Sequence, residues 1–220
     1  MSGFASSATA TENKARDEIA RIGADLYQRR YTVGSAGNIS ARLQDGWLIT
    51  PTDACLGHLD PATIAKVNRD GRWVSGDKPS KTLALHRAVY DHNPDVNGVV
   101  HTHSTHLVAL TLAGVWRETD VLPPITPYYV IKVGHIPLIP YCRPGDAAVA
   151  EQVRKLANDV RGILLERLGP VVWGVSVSQA AWALEELEET ARLWLMSDPR
   201  PAPLTDSQID ELRTTFGARW

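Results

Sequence analysis

The chain has 220 residues, 44% of them hydrophobic and 22% charged, with a formal net charge of -2; these values suit a globular domain large enough to bury a sizeable core. Acidic and basic residues are interspersed without a Lys/Arg block, which excludes the electrostatic footprint of a nucleic-acid or anionic-membrane binder. Cys55 and Cys142 form no C-x-x-C pair, and no run has signal-peptide or transmembrane character, so a reduced, cytoplasmic protein is expected.

Residues 1–12 are small and polar and read as a disordered tail. From Lys14 to Arg30, the residues Ile19, Ile22, Leu26 and Tyr27 recur on one helical face. "YTVGSAGNISARL" is a glycine-punctuated turn running into a strand, and Asp45-Gly46 between two alternating apolar runs marks a hairpin. Asp60-Pro61 reads as the N-cap and first residue of a helix, "DPATIAKV". "GRWVSGDKPS" returns as strand and loop. "SKTLALHRAVYDHN" is a helix ended by Pro94, with Leu83, His86, Val89 and Tyr90 on one stripe, and "NGVVHTHS" is a buried strand.

The next helix, "THLVALTLAG", stops at Gly114, and the proline-rich "LPPITPYYV" leads into strands over "IKVGHIPLIPY". "DAAVAEQVRKLA" is helical, and "GILLERLGPVVWG" reads as two short strands or a hairpin. Ser176 with Gln179 opens a long helix, and Thr205 with Gln208 repeats that capping signature before a last one. Helices alternate with strands, but hairpins are mixed in. The expected fold is therefore a single-domain α/β sandwich over residues 13–198, its central sheet mainly antiparallel and flanked by helices, with a C-terminal helical extension at 199–220.

"GVVHTHSTHLVAL" places His101, His103 and His106 within six positions, after an apolar Val-Val. On a strand, residues i and i+2 share a face, so His101 and His103 project side by side, spaced to grip one metal ion at about 2.0–2.1 Å each. Two imidazoles are not a site, since three or four donors are needed. His106 falls at the start of the following helix and either caps or packs there. His86, on its helix's buried stripe, reads as a hydrogen-bonded structural histidine, and His135 as a surface or interface residue.

At this point the motifs "GSAGNIS", "WLITPT", "GDKPSK", "VVHTHS", "GPVV" and "EELEETARL" resemble the class II aldolase/adducin family of zinc-dependent lyases, over about residues 14–215. "DVLPPITPYYVIKVGHIPLIPYCRPGD" is most similar to the branch that decarboxylates 3-oxo-tetronate 4-phosphates. The resemblance implies that the loop through Gly37 and Asn38 holds the substrate phosphate, with Thr52, Ser80 and Lys81 completing that pocket. It implies Zn2+ on His101 and His103 as a Lewis acid, and a homotetramer in which Tyr128 reaches a neighbouring subunit's site as proton donor.

The chain also departs from the family pattern. Thr82 stands where a glutamate acts as general base, and a hydroxyl cannot take a proton at neutral pH. "RLGPVV" puts Arg167 and Leu168 where an Asn-His pair supplies the third zinc ligand, and leucine has no lone pair. Asp53 places a carboxylate beside the anion pocket. His106, His135, Glu166 or Asp53 are candidate replacement ligands, and Leu168 with Arg167 can alternatively form an apolar floor and a guanidinium that bind an anion without zinc. Three functions follow: a metal-dependent lyase acting on a phosphorylated sugar acid, a repurposed metal-independent enzyme on the same scaffold, and a catalytically dead binding or scaffold protein.

Overall fold

The Asp45-Gly46 turn closes a hairpin in which β1 (Asn38–Leu43) pairs antiparallel with β2 (Gly46–Ile49), Leu43 opposite Gly46. The computed structural model of the chain describes residues 3–220, with side chains from residue 11 onward. β3 (Ala65–Asn68) and β4 (Trp73–Ser75) continue the sheet on one side, and β5 (Gly98–His101), β6 (Leu138–Ile139), β7 (Gly162–Leu165) and β8 (Gly169–Gly174) on the other. The spatial order is β4-β3-β2-β1-β5-β8-β7-β6. Among the described residues every neighbouring pair is antiparallel except β6–β7. That parallel pair needs a crossover, which α4 (Ala147–Leu156) supplies.

Side chains alternate across the strands, and the alternation builds two cores. Ile39, Val100 and Val172 join Ile22 and Leu26 of α1 (Gly3–Gln28), Leu107 of α3 (Thr105–Ala113) and Leu184 of α5 (Val177–Met196). Val99, Val171 and Trp173 face the other way, onto Ala88 and Val89 of α2 (Leu83–His92) and Val153 of α4. The result is a three-layer α/β sandwich. Helix α6 (Asp206–Phe216) opens with the reciprocal Thr205–Gln208 capping box, and beyond it Trp220 stacks on His135 at 4.3 Å between ring centres.

Three local expectations are corrected. Helix α1 reaches back to Gly3, into the segment expected to be a disordered tail, while residues 1–2 lie outside the described residues. "DPATIAKV" is a single 3-10 turn, Pro61–Thr63, followed by β3. Asp60 does accept a hydrogen bond from the Ala62 N–H as expected of a cap, but Ala65 and Val67 are buried alternately, and that strand period prevails over the helix start. A π-helical turn, Tyr129–Val133, runs into the start of "IKVGHIPLIPY" and leaves only the two-residue β6. Gly134, at φ 80°, ends the turn, and Pro137 cannot donate to a ladder.

Candidate active site

Antiparallel pairing brings remote segments to one end of the sheet. β1 begins there at Asn38, β2 ends at Ile49, β5 ends at His101, β7 ends at Leu165 and β8 begins at Gly169. The register fixes the alignment: Asn38 lies opposite His101, and His101 opposite Val171. A second contact adds the loops beyond β2 and before α2. Pro51 bridges Pro79, and the Thr52 N–H donates to the Lys78 carbonyl at 2.8 Å. With neighbouring segments these loops line a cavity of about 230 Å³.

Gly37, Asn38, Thr52, Asp53, Ser80, Lys81, Thr82, His101, His103 and Leu168 all line this cavity. The loop leading into β1 approaches β5 closely. Gly37 adopts φ 86°, and a Cβ there would stand 2.6 Å from the His101 carbonyl oxygen. Lys81 is exposed at the rim, and the Thr82 hydroxyl lies 3.0 Å from Ser80 Oγ. Asp53, in a left-handed backbone conformation (φ 57°), and Lys81 bring opposite charges to the cavity lining.

The histidine pair is arranged differently from the expectation. β5 ends at His101, so His103 lies beyond the strand rather than on it, yet the two rings sit 5.0 Å apart and line the same cavity. The Pro170 carbonyl, 2.8 Å from His101 Nδ1, can only accept, so Nδ1 carries the proton and Nε2 keeps its lone pair. Burial, and then the neighbouring His103, push the His101 pKa down to about 4, and burial lowers that of His103. Both imidazoles are therefore neutral near pH 7, the protonation state of a ligand.

The rest of a zinc donor set does not assemble. Leu168 is half-buried against the α2/α4 core cluster, and among the described residues no group of three or more His, Cys, Asp or Glu side chains is placed to hold a metal. Of the four candidate replacements, Asp53 lines the cavity but completes no group of three donors among the described residues, and the other three are engaged elsewhere. His106 Nδ1 lies 2.8 Å from buried Glu188, His135 Nδ1 lies 2.7 Å from Asp120, and Glu166 accepts from the Tyr141 N–H. Two imidazoles thus fall short of the three or four donors zinc takes in proteins.

Two predicted residues lie elsewhere. Arg167 is exposed on the β7–β8 turn at φ 61°, off the cavity lining, so its guanidinium does not pair with Leu168 as a pocket floor. Successive residues of so tight a turn face in different directions. Tyr128 is 61% exposed and borders a different cavity, beside Trp182 and Phe216. Sequence reasoning missed Arg143 and Cys142 on the loop after β6, and missed that His86 reaches the site. Arg143 stands inside "YCRPGD", where no spacing rule signals a site residue; the loop after β6 joins His101 and His103 only through the cavity they line together.

The three-layer sandwich recurs among solved structures. An L-fuculose 1-phosphate aldolase superposes with a TM-score of 0.80 at 21% identity, over 93% of this chain and 96% of that one, a likeness of fold. YgbL from Escherichia coli superposes with a TM-score of 0.88 at 47% identity, over 92% of this chain and 99% of that one. Residues 17–195 match the family described as Class II Aldolase and Adducin N-terminal domain, and the chain belongs to that family. A 3-oxo-tetronate 4-phosphate decarboxylase of Cupriavidus necator is 72% identical over 215 residues, covering 96% of this chain and 99% of the relative. The L-fuculose phosphate aldolase of Methanocaldococcus jannaschii is 34% identical over 83% of this chain and 96% of its own length. The chain is an enzyme of the carbon–carbon lyase type, and a sugar-phosphate substrate fits both groups of relatives. Among the described residues no helix is long and apolar enough to cross a membrane.

Proposed function

We propose that this chain decarboxylates a 3-oxo-tetronate 4-phosphate, or cleaves a closely related phosphorylated sugar acid, in the cavity between Asn38 and the His101–His103 pair. The observation that carries the reading is the joining, in one small cavity, of a glycine-turned loop and a lysine with two neutral imidazoles. The loop at Ser35–Asn38, with Ser80 and Lys81, holds the phosphate through backbone and side-chain donors and one full positive charge.

In a 3-oxo acid, breaking the bond from C1 to C2 releases carbon dioxide and leaves its electron pair as an enolate over C2, C3 and the keto oxygen. Protonation at C2 then gives a phosphorylated three-carbon hydroxyketone. The phosphate anchor fixes which bond stands beside the imidazoles. His101 Nε2, with its proton already committed to Nδ1, accepts a hydrogen bond from a substrate hydroxyl and orients it. Thr82 takes no proton and serves as a hydrogen-bond partner of Ser80. The altered positions Thr82 and Leu168 support a second reading, the same cleavage run without zinc.

In the proposal the chain is a cytoplasmic homotetramer, and Tyr128 of a neighbouring subunit donates the proton to C2. Exposure of Tyr128, Trp182 and Phe216 around one cavity supports an assembly surface there, and the two free cysteines suit a reducing compartment. Carbon dioxide release from 3-oxo-tetronate 4-phosphate, measured with added zinc and with a chelator, tests the reading. Turnover in either condition supports it, and dependence on zinc decides between its two forms. Absence of turnover in both, with a melting temperature unmoved by the substrate, leaves the catalytically dead binding protein. A mixture of Tyr128→Phe and Lys81→Ala chains that recovers activity neither has alone supports the shared site.

A further inference from the structure

β1 places Asn38 and Ser40 two residues apart, so both side chains leave the sheet on the face that α2 covers. Helix α2 lays His86, 1% exposed, over them. His86 Nε2 is 2.6 Å from Asn38 Oδ1, and Nδ1 is 2.7 Å from Ser40 Oγ, which is itself 2.8 Å from the Tyr90 hydroxyl. The direction of each bond follows in turn. An amide oxygen only accepts, so Nε2 carries the proton. A neutral imidazole has one N–H, so Nδ1 accepts from the Ser40 hydroxyl, and Ser40 accepts from Tyr90.

The relay ends at the cavity. With Oδ1 occupied by His86, Asn38 has its two amide N–H groups left, and among the described residues no acceptor meets them. Asn38 itself lines the cavity and stands opposite His101 in the β1–β5 register. We propose that His86 is a positioning residue, which locks the Asn38 amide with its N–H donors facing the cavity, where they meet an anionic oxygen of the substrate. Naming that oxygen as part of a phosphorylated acid rests on the lyase reading; the locked amide does not. Reversed, the amide would turn a carbonyl oxygen toward an anion and lose the donor that site needs. Burial, and then the proximity of His101, push the His86 pKa down to about 3, so the imidazole stays neutral and the relay keeps its direction at working pH.

The two ring nitrogens can be tested apart. Glutamine places an amide nitrogen near the position of Nε2, whereas asparagine reaches only to that of Nδ1. His86→Gln therefore keeps the donor to Asn38, and His86→Asn leaves Oδ1 without one. The full-length protein is labelled with 15N-asparagine, the Asn38 side-chain amide signal is assigned by its loss in Asn38→Ala, and inorganic phosphate and 3-oxo-tetronate 4-phosphate are titrated in turn.

His86→Asn is expected to shift or broaden the Asn38 amide signal and weaken ligand binding about tenfold, the worth of one hydrogen bond to a charged partner. His86→Gln recovers the signal and most of the affinity, and the tenfold loss vanishes in the Asn38→Ala background. Equal losses in both His86 variants, persisting without Asn38, overturn the proposal and leave a packing role. So does a ligand that binds without moving the Asn38 signal. An Asn38 signal that follows this pattern with phosphate, in a protein that releases no carbon dioxide, upholds the locked amide and sinks the lyase reading instead.

Discussion

The carbonyl oxygen of His101 occupies the space a side chain on Gly37 would need, 2.6 Å from where its Cβ would be. The loop leading into β1 and the end of β5 are thereby locked to one another through backbone. Gly37→Ala adds a left-handed residue, costing about 1–2 kcal/mol, as well as that clash. We expect it to lower stability by about 2 kcal/mol or more. Thermal unfolding should show a midpoint roughly 4–8 °C lower for a chain of this size, and an unchanged midpoint would refute the close approach.

Arg167 occupies a left-handed conformation, φ 61°, in the tight turn between β7 and β8, and it lies off the cavity. Asparagine tolerates that conformation better. Arg167→Asn should therefore stabilise the fold by about 0.5–1 kcal/mol while leaving ligand affinity where it is. Urea unfolding and a substrate titration check the two halves separately.

Zinc affinity should follow the donor count at the cavity. Thr82 and Leu168 both line it, within the same enclosure as His101 and His103. The Thr82→Glu/Leu168→His double variant is expected to bind zinc at least 10–100-fold more tightly than the parent chain. Metal content after dialysis, read by mass spectrometry and independent of any turnover, distinguishes them. Equal content in the two proteins would show that positions 82 and 168 are not what limits the site.

Acid should destabilise this fold through its buried histidines. Burial pushes the His86 and His101 imidazoles down to about 3 and about 4 in the fold, from the ordinary histidine value of about 6.5. Between those values the unfolded chain binds more protons than the folded one, so stability rises with pH across the window and is lost as pH falls from about 6.5 toward 4. At pH 5 the loss is on the order of 2 kcal/mol for each histidine. Urea midpoints at pH 7 and pH 5 measure it, and the His86→Gln chain should have the shallower slope.

Much of the local structure is legible from the chain alone, for a physical reason. Hairpins, caps and amphipathic faces depend on residues a few positions apart: Asp45-Gly46 turns, Thr205 and Gln208 cap, and Ile19, Ile22 and Leu26 are buried together. Reading fails where period and packing compete, as in "DPATIAKV", where a helix start gives way to a strand because Ala65 and Val67 are drawn alternately into the cores.

The sequence by itself determined which chemical groups are available: a glycine-rich loop, a lysine, paired imidazoles, a threonine at 82 and a leucine at 168. Only the tertiary structure decided which of them meet. Antiparallel register places Asn38 beside His101, and α2 packing brings His86 down on Asn38. The same fold leaves Arg167 and Tyr128 off the cavity wall. Adjacency of residues dozens of positions apart is fixed by strand order and layer packing, which no local spacing encodes.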